Sequence, residues 1–357
     1  MTKATQFGKR SINIGAALTS LLLQIIFIIP YAVLKIIYNF IFGRRYSTSE
    51  YLKFDLSDFE GLQADRHEFK SKNNQTLVGY RYYLQSLKPK GVVVIAHGFS
   101  VGGQNGYMDV ANYFVLNGYV VFAYDATGND ESGGKGIDGL PNGVIDLHYT
   151  LEYLKEINAL KDLPVMLWGH SWGGYCVSCI LNWHPEIKAV SAIAGFNCSS
   201  DMMEAKAVKF AGGLAKISMP IVKSIEKTKF GSYASASALD GFENSNAGIF
   251  IAHGDNDDVV PIAYGLDKYY KKYCDNPRFR FVRIANKGHT DILYSDGRNA
   301  YLEDFNKGAD EFFCGRKPTD KEKAAYAKAK LNRTVYCDGL DKQLFSQIVD
   351  FYDSYLK

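Results

Sequence analysis

The sequence predicts an α/β fold: a mostly parallel sheet with helices on both faces, a helical insertion above one end, and an apolar helix in front. Three observations predict it. Short apolar runs alternate with amphipathic helical patterns through most of the chain. One run, Gly-Val-Val-Val-Ile-Ala at residues 91–96, is apolar throughout, as a parallel strand covered on both faces should be. The 24 residues from 11 to 34 carry no charge, which no element of such a sheet needs.

Composition bounds the function. With 357 residues, 47% of them hydrophobic, the chain can bury a large core and is not disordered as a whole. Lys+Arg 41 against Asp+Glu 38 leaves a net charge of +3, too little for a partner held by bulk charge, so no nucleic acid is expected.

The front segment comes first. At ~1.5 Å per residue, the uncharged run reaches ~36 Å, enough to cross a hydrocarbon core of ~30 Å. A cleaved signal peptide would have an apolar region of about 7–15 residues before a small-x-small site, and this run is longer and bulkier. A buried core helix is the other competitor. The reading is a membrane segment over residues 1–45, a single-pass N-terminal anchor with Pro30 inside it as a kink or a break. Lys3, Lys9 and Arg10 before it nearly balance Arg44 and Arg45 after it, so charge does not set the orientation. The six cysteines form no small disulfide framework, and free thiols favour a catalytic domain on the cytoplasmic side.

Residues 46–357 read as one domain. After a polar connector (46–63), runs at 66–69 and 77–84 form a hairpin turning at 71–74. Strand 91–96 is followed by helix 107–116, which ends near Asn117-Gly118. Then come strand 119–124, helix 143–157, strand 164–168, helix 172–183 and strand 188–194. The 51 residues 197–247 interrupt the alternation as a cap, with an amphipathic helical pattern from 202 to 225. Strand 248–252, helix 262–273 and strand 278–284 complete the core. A polar, Lys-rich segment at about 300–335, with helical patches on either side of Pro318, precedes a last helix at 340–356.

The chemistry centres on Gly169-His170-Ser171-Trp172-Gly173. An apolar strand leads in and an amphipathic helix leads out. The glycines let the backbone turn sharply, exposing the Ser171 hydroxyl at the strand end while the Trp172 N–H starts the helix. A serine hydroxyl needs a base, an orienting acid and an oxyanion site. His289, in Asn286-Lys287-Gly288-His289-Thr290, follows the last core strand. Asp257 follows another, in His253-Gly254-Asp255-Asn256-Asp257-Asp258-Val259-Val260-Pro261, with Asp255 and Asp258 as competitors for the acid. The chain order Ser171, Asp257, His289 is that of the α/β-hydrolase triad. His97 and His253 precede glycines at strand ends and are expected to bond loop backbone, and His170 to face sheet–helix packing. His67, His148 and His184 show no partner pattern. No HExxH or clustered carboxylates point to a metal, and no G-x-G-x-x-G loop points to a nucleotide, so neither metal nor cofactor is expected.

With His97-Gly98-Phe99-Ser100, Asp125-Ala126-Thr127-Gly128 and Ser132-Gly133, these motifs resemble the α/β-hydrolase superfamily, in its monoacylglycerol lipase-like and serine aminopeptidase-like branch. The resemblance covers about residues 65–295 and the final helix. It implies Asp257 as the acid, from its place before x-x-V-P, and the backbone N–H groups of Phe99 and Trp172 as the oxyanion hole. Thr127 departs from the Arg that relatives often carry in a D-x-R-G loop, which leaves that loop's ion pairing open. The implied activity is hydrolysis of carboxylic esters, of monoacylglycerol or lysophospholipid type, with a small-molecule or lipid ester as partner. A serine aminopeptidase is the rival, with Glu204 or Glu226 as candidate amine binders; acyl transfer and a non-catalytic scaffold are the others. Over the site, the cap's Met203, Val208, Phe210, Leu214, Met219 and Ile221 are expected to cover the pocket, or with its lysines to lie on a membrane surface. Sequence sets no oligomeric state.

Overall fold

The computed structural model describes residues 14–100 and 102–356. Residues 14–42 are helical in three pieces: α1 (Ile14–Leu23), a π-helical turn (Gln24–Ile28) and α2 (Ile29–Phe42). Pro30 accounts for the irregularity. It has no N–H to give the preceding turn, and the Ile29 N–H bonds to the Gln24 carbonyl, one residue wider than an α-turn. No helix among the described residues is long and apolar enough to cross a membrane. Residues 11–13 of the expected span lie outside the described residues. Leu18, Leu22, Ile25, Ile29, Val33 and Ile36 are exposed, whereas Tyr38 and Phe42 are buried in the domain's core.

The domain is built on one eight-stranded sheet. The hairpin β1 (Gln63–Lys70) and β2 (Thr76–Tyr83) is antiparallel, and β2 also runs antiparallel to its other neighbour. In chain order follow β3 (Val92–Ala96), α3 (Met108–Leu116), β4 (Val120–Asp125), α4 (Leu140–Leu154), β5 (Val165–His170), α5 (Trp172–Cys179) and β6 (Ala189–Ile193). The insertion holds α6 (Ser199–Ala211), α7 (Met219–Phe230) and α8 (Ala238–Glu243). The chain then returns through β7 (Gly248–Gly254), α9 (Leu266–Tyr273) and β8 (Phe279–Ile284). It ends with α10 (Asp296–Phe312), α11 (Asp320–Lys330), α12 (Arg333–Cys337) and α13 (Lys342–Ser354).

The strand order is β1-β2-β4-β3-β5-β6-β7-β8, with every pair from β4 onward parallel. Side chains alternate between two cores, as a period of two requires. Val92, Val94 and Ala96 of β3 face the layer of α4, α5 and α9, while Val93 and Ile95 face α3 and α13. Register places Ala96 beside Gly169 and His170 beside Ile193. The loops leaving β3 and β5 therefore open side by side at the carboxyl edge, where open α/β sheets place their ligands.

Two expectations are corrected here. The helix expected from residue 143 starts at Leu140, because Pro141 fits a helix's first turn, where its missing N–H is not needed. The pattern expected from 202 to 225 is not one helix: Gly212, at φ 71°, ends α6, and a 3₁₀ turn (Gly213–Ser218) separates it from α7. That break changes which side chains are covered. Met219 packs inside, but Phe210 is 95% exposed and Leu214 78%, so these two do not cover a pocket.

Candidate active site

Ser171 sits at the turn between β5 and α5 with φ 57° and ψ −117°, a strained backbone for a residue with a Cβ. The turn is possible because of the flanking glycines. A Cβ on Gly173 would lie 1.9 Å from the Ala96 carbonyl oxygen, and one on Gly169 would lie 2.3 Å from that of Gly173. Ser171 N–H donates to the Ile193 carbonyl at 2.8 Å, and its own carbonyl accepts Tyr175 N–H at 3.1 Å. The nucleophile candidate is thus pinned to the sheet on one side and to the helix on the other.

The loops after β7 and β8 bring in the other two residues. His289 Nε2 lies 2.8 Å from Ser171 Oγ, and its Nδ1 lies 2.7 Å from Asp257 Oδ2. A carboxylate can only accept, so Nδ1 carries the proton and Nε2 offers its lone pair to the serine hydroxyl. Asp257 Oδ1 accepts the N–H groups of Val259 (2.9 Å) and Val260 (2.8 Å), which aims its other oxygen at the imidazole. Burial alone would raise this carboxyl. Hydrogen bonds from His253 and His289 and the Val260 N–H outweigh burial and hold it well below the usual carboxylate range. Asp255 and Asp258 are exposed, and Asp255 Oδ1 accepts the Asn286 N–H at 2.7 Å. Phe99 and Trp172 follow Gly98 and Ser171, and among the described residues neither backbone N–H has a protein acceptor.

The other histidines are more engaged than their spacing indicates. His97 bonds the Gly98 carbonyl (2.8 Å) and accepts the Ala126 N–H (2.9 Å). His253 Nε2 bonds the Val260 carbonyl at 2.9 Å and also approaches Asp257 Oδ2 at 3.2 Å. His170 does not simply face packing. Its Nε2 donates to the His289 carbonyl at 2.8 Å, and its Nδ1 accepts from Tyr107 Oη at 2.9 Å. Tyr107 Oη in turn accepts the Gly98 N–H at 3.1 Å. One chain of hydrogen bonds thus joins the loop of Phe99 to the loop of His289. Burial and the neighbouring His289 hold the His170 imidazole down to about 3, so it stays neutral. Tyr107 was not legible as a site residue, since no motif marks it.

The Thr127 departure also has a structural answer. Thr127 N–H and Oγ1 bond the buried Asp146 carboxylate at 2.8 and 3.1 Å. A guanidinium still reaches this loop, but from the front of the chain: Arg45 donates to the carbonyls of Gly134, Asp130 and Ser132. Phe99 packs on Phe42 (6.2 Å between centroids) and Tyr46 (5.4 Å), so the end of α2 lies against the candidate oxyanion loop.

Comparison with known proteins bears on this arrangement. Residues 87–238 match the family described as serine aminopeptidase, S33. A monoacylglycerol lipase of Mycolicibacterium smegmatis is 32% identical over 113 residues, 30% of this chain and 38% of the lipase. The chain therefore matches well under half the length of that curated relative. An esterase of Pyrococcus furiosus superposes with a TM-score of 0.57 at 15% identity, over 85% of this chain and 96% of the esterase. An α/β-hydrolase of a Penicillium species gives 0.50 at 16% identity, over 68% and 97%.

Proposed function

We propose that this chain, an α/β-hydrolase by fold and similar over residues 87–238 to the serine aminopeptidase S33 family, is a serine hydrolase cleaving carboxylic esters of lipid-like substrates, of the monoacylglycerol or lysophospholipid class. The observation that carries it is His289, held between Asp257 at 2.7 Å and Ser171 at 2.8 Å. Ser171 Oγ attacks the ester carbonyl as His289 Nε2 takes its proton. Asp257 stabilises the resulting imidazolium without itself being protonated. The N–H groups of Phe99 and Trp172 receive the charge that develops on the carbonyl oxygen. His289 then gives its proton to the leaving alcohol, and a water deacylates Ser171 by the reverse path.

Neither of the two candidate acids is free to hold the amine that the peptidase reading needs. Glu226 is buried and accepts hydrogen bonds from Tyr38 Oη (3.0 Å) and Ser199 Oγ (2.7 Å). Glu204 is paired with Lys216 at 3.2 Å. A fluorophosphonate probe is expected to label the chain, and Ser171→Ala to abolish labelling. Labelling that persists in that variant refutes the assignment. Turnover of p-nitrophenyl acyl esters but not of amino-acid anilides is expected, and the reverse preference would favour the peptidase.

Free thiols favour the cytoplasmic side for the domain, and the N-terminal segment supports a membrane tether in the same reading. Its support is the uncharged stretch and the exposed side chains of Leu18, Leu22, Ile25 and Ile29. The full chain is expected in the membrane fraction after alkaline extraction; release into the supernatant would refute an integral tether.

A further inference from the structure

On the sheet face away from α3, two histidines 36 residues apart in sequence meet. His148 lies on α4 and His184 in the turn before β6, and His148 Nδ1 lies 2.8 Å from His184 Nε2. Glu152, one helical turn after His148 and so on the same face of α4, places a carboxylate oxygen 3.9 Å from that Nε2. All three donor atoms lie within 4.8 Å of one another. Behind them, Glu186 Oε1 lies 2.8 Å from His184 Nδ1.

The tautomers follow from this arrangement. Glu186 can only accept, so His184 Nδ1 bears the proton and His184 Nε2 presents a bare lone pair, on a residue 2% exposed. The proton shared between the two rings then belongs to His148 Nδ1. A cation that took this proton's place would meet two imidazole nitrogens and one carboxylate. Two atoms each ~2.1 Å from one ion at the tetrahedral angle stand ~3.4 Å apart. The observed 2.8 and 3.9 Å bracket that value and the third separation is at most 4.8 Å, so side-chain rotations of exposed Glu152 and half-buried His148 that move their donor atoms by about 0.5–1.5 Å close the shell.

We propose that His148, His184 and Glu152 form a site for a divalent transition-metal ion of the zinc class, with Glu186 orienting His184 from behind. The donor set is of the right chemistry, two imidazoles and a carboxylate with a fourth position open to water. A carboxylate on the far nitrogen of a ligating imidazole is the usual second partner in such sites. The ion would tie α4 to the turn before β6, beneath the ring of Tyr233, which lies 6.2 Å from His148 and stacks on Trp183 at 4.3 Å. It is a brace rather than part of the ester chemistry, and it stands whether or not the hydrolase reading does. Lys155, 2.5 Å from Glu152, opposes the cation and sets an independent test.

The test uses the full chain in detergent, stripped with a chelator and titrated with zinc against a chromophoric competitor, then with cobalt(II). One zinc per chain is expected, with cobalt bands of a tetrahedral nitrogen–oxygen site and no thiolate charge transfer. Glu186→Gln should weaken binding about 10–100-fold, and His148→Ala and Glu152→Gln at least as much. Lys155→Gln should tighten it. Circular dichroism and the thermal midpoint check that each variant is folded, independently of any hydrolase activity; Glu152 is exposed and His148 half-buried, so neither replacement empties the core. Zinc binding that is absent in the parent chain overturns the proposal. So does binding unchanged in His148→Ala and Glu152→Gln, or cobalt spectra showing thiolate, which would assign the ion to Cys274 or Cys314.

Discussion

Tyr107 is the residue whose hydrogen bonds join the two halves of the site. Its hydroxyl is shared between Gly98, next to the candidate oxyanion donor, and His170, next to the candidate nucleophile. Tyr107→Phe leaves a buried N–H and a buried imidazole nitrogen unpaired, at about 1–3 kcal/mol for each. The variant is expected to lower the denaturation midpoint and to reduce kcat for ester hydrolysis more than it raises KM. Equal stability and kcat would show the network to be idle. His170 permits a sharper test. Because it stays neutral down to about 3, His170 should add no protonation step of its own to the acid limb of hydrolysis. Loss of a single base should give log kcat/KM a unit slope on the acid side. A slope of two would mean that His170 titrates with it. Neither Tyr107 nor Arg45 could be found from the sequence, since their partners lie 63 and 89 positions away and follow no local period.

Among the elements, α2 has two characters. Its first turns present apolar side chains outward, and one face of its last turn is core: Tyr38 is 2% exposed and Phe42 3%. Loss of one such buried ring costs about 3–5 kcal/mol. Deleting residues 1–36 should therefore leave labelling by the fluorophosphonate probe intact, whereas deleting 1–42 should lower the thermal midpoint and weaken labelling through Phe99. Equal behaviour of the two truncations would show that α2 adds nothing to the domain. The apolar run reads in sequence as one feature. The structure divides it, because Pro30 loosens the helix and the later half finds a partner in α7. The cap shows the same limit. Its helical period was legible, but not which side faces in, since Gly212 turns the chain and leaves Phe210 and Leu214 in the open.

At the scale of the whole molecule, buried acids make stability depend on pH. Burial first, with Asp130 and Glu131 nearby, pushes Asp125 up to about 7, and burial pushes Asp109 and Asp146 up to about 6. The native chain holds protons there that the unfolded chain releases above ~4. Their contribution is full below ~4 and is lost as pH rises towards 7. His170 has the opposite sign, because the unfolded chain alone takes up its proton below ~6.5. The terms partly cancel, so a variant is needed to separate them. The thermal midpoint of Asp125→Asn relative to the parent should rise as pH increases from 4 to 7. A constant difference would mean that Asp125 does not change charge in that range.

The sequence by itself determined the alternating architecture, the elbow at Ser171 and the order of Ser171, Asp257 and His289. Each of these is written in near neighbours: strand periods, glycines two residues away, and loops that directly follow strands. Only the tertiary structure decided that His289 bridges the other two, that Tyr107 joins their loops, that Arg45 serves the loop after β4, and that His148 meets His184. Those contacts arise where separate elements pack on one sheet, and packing brings together residues whose separation along the chain carries no signal.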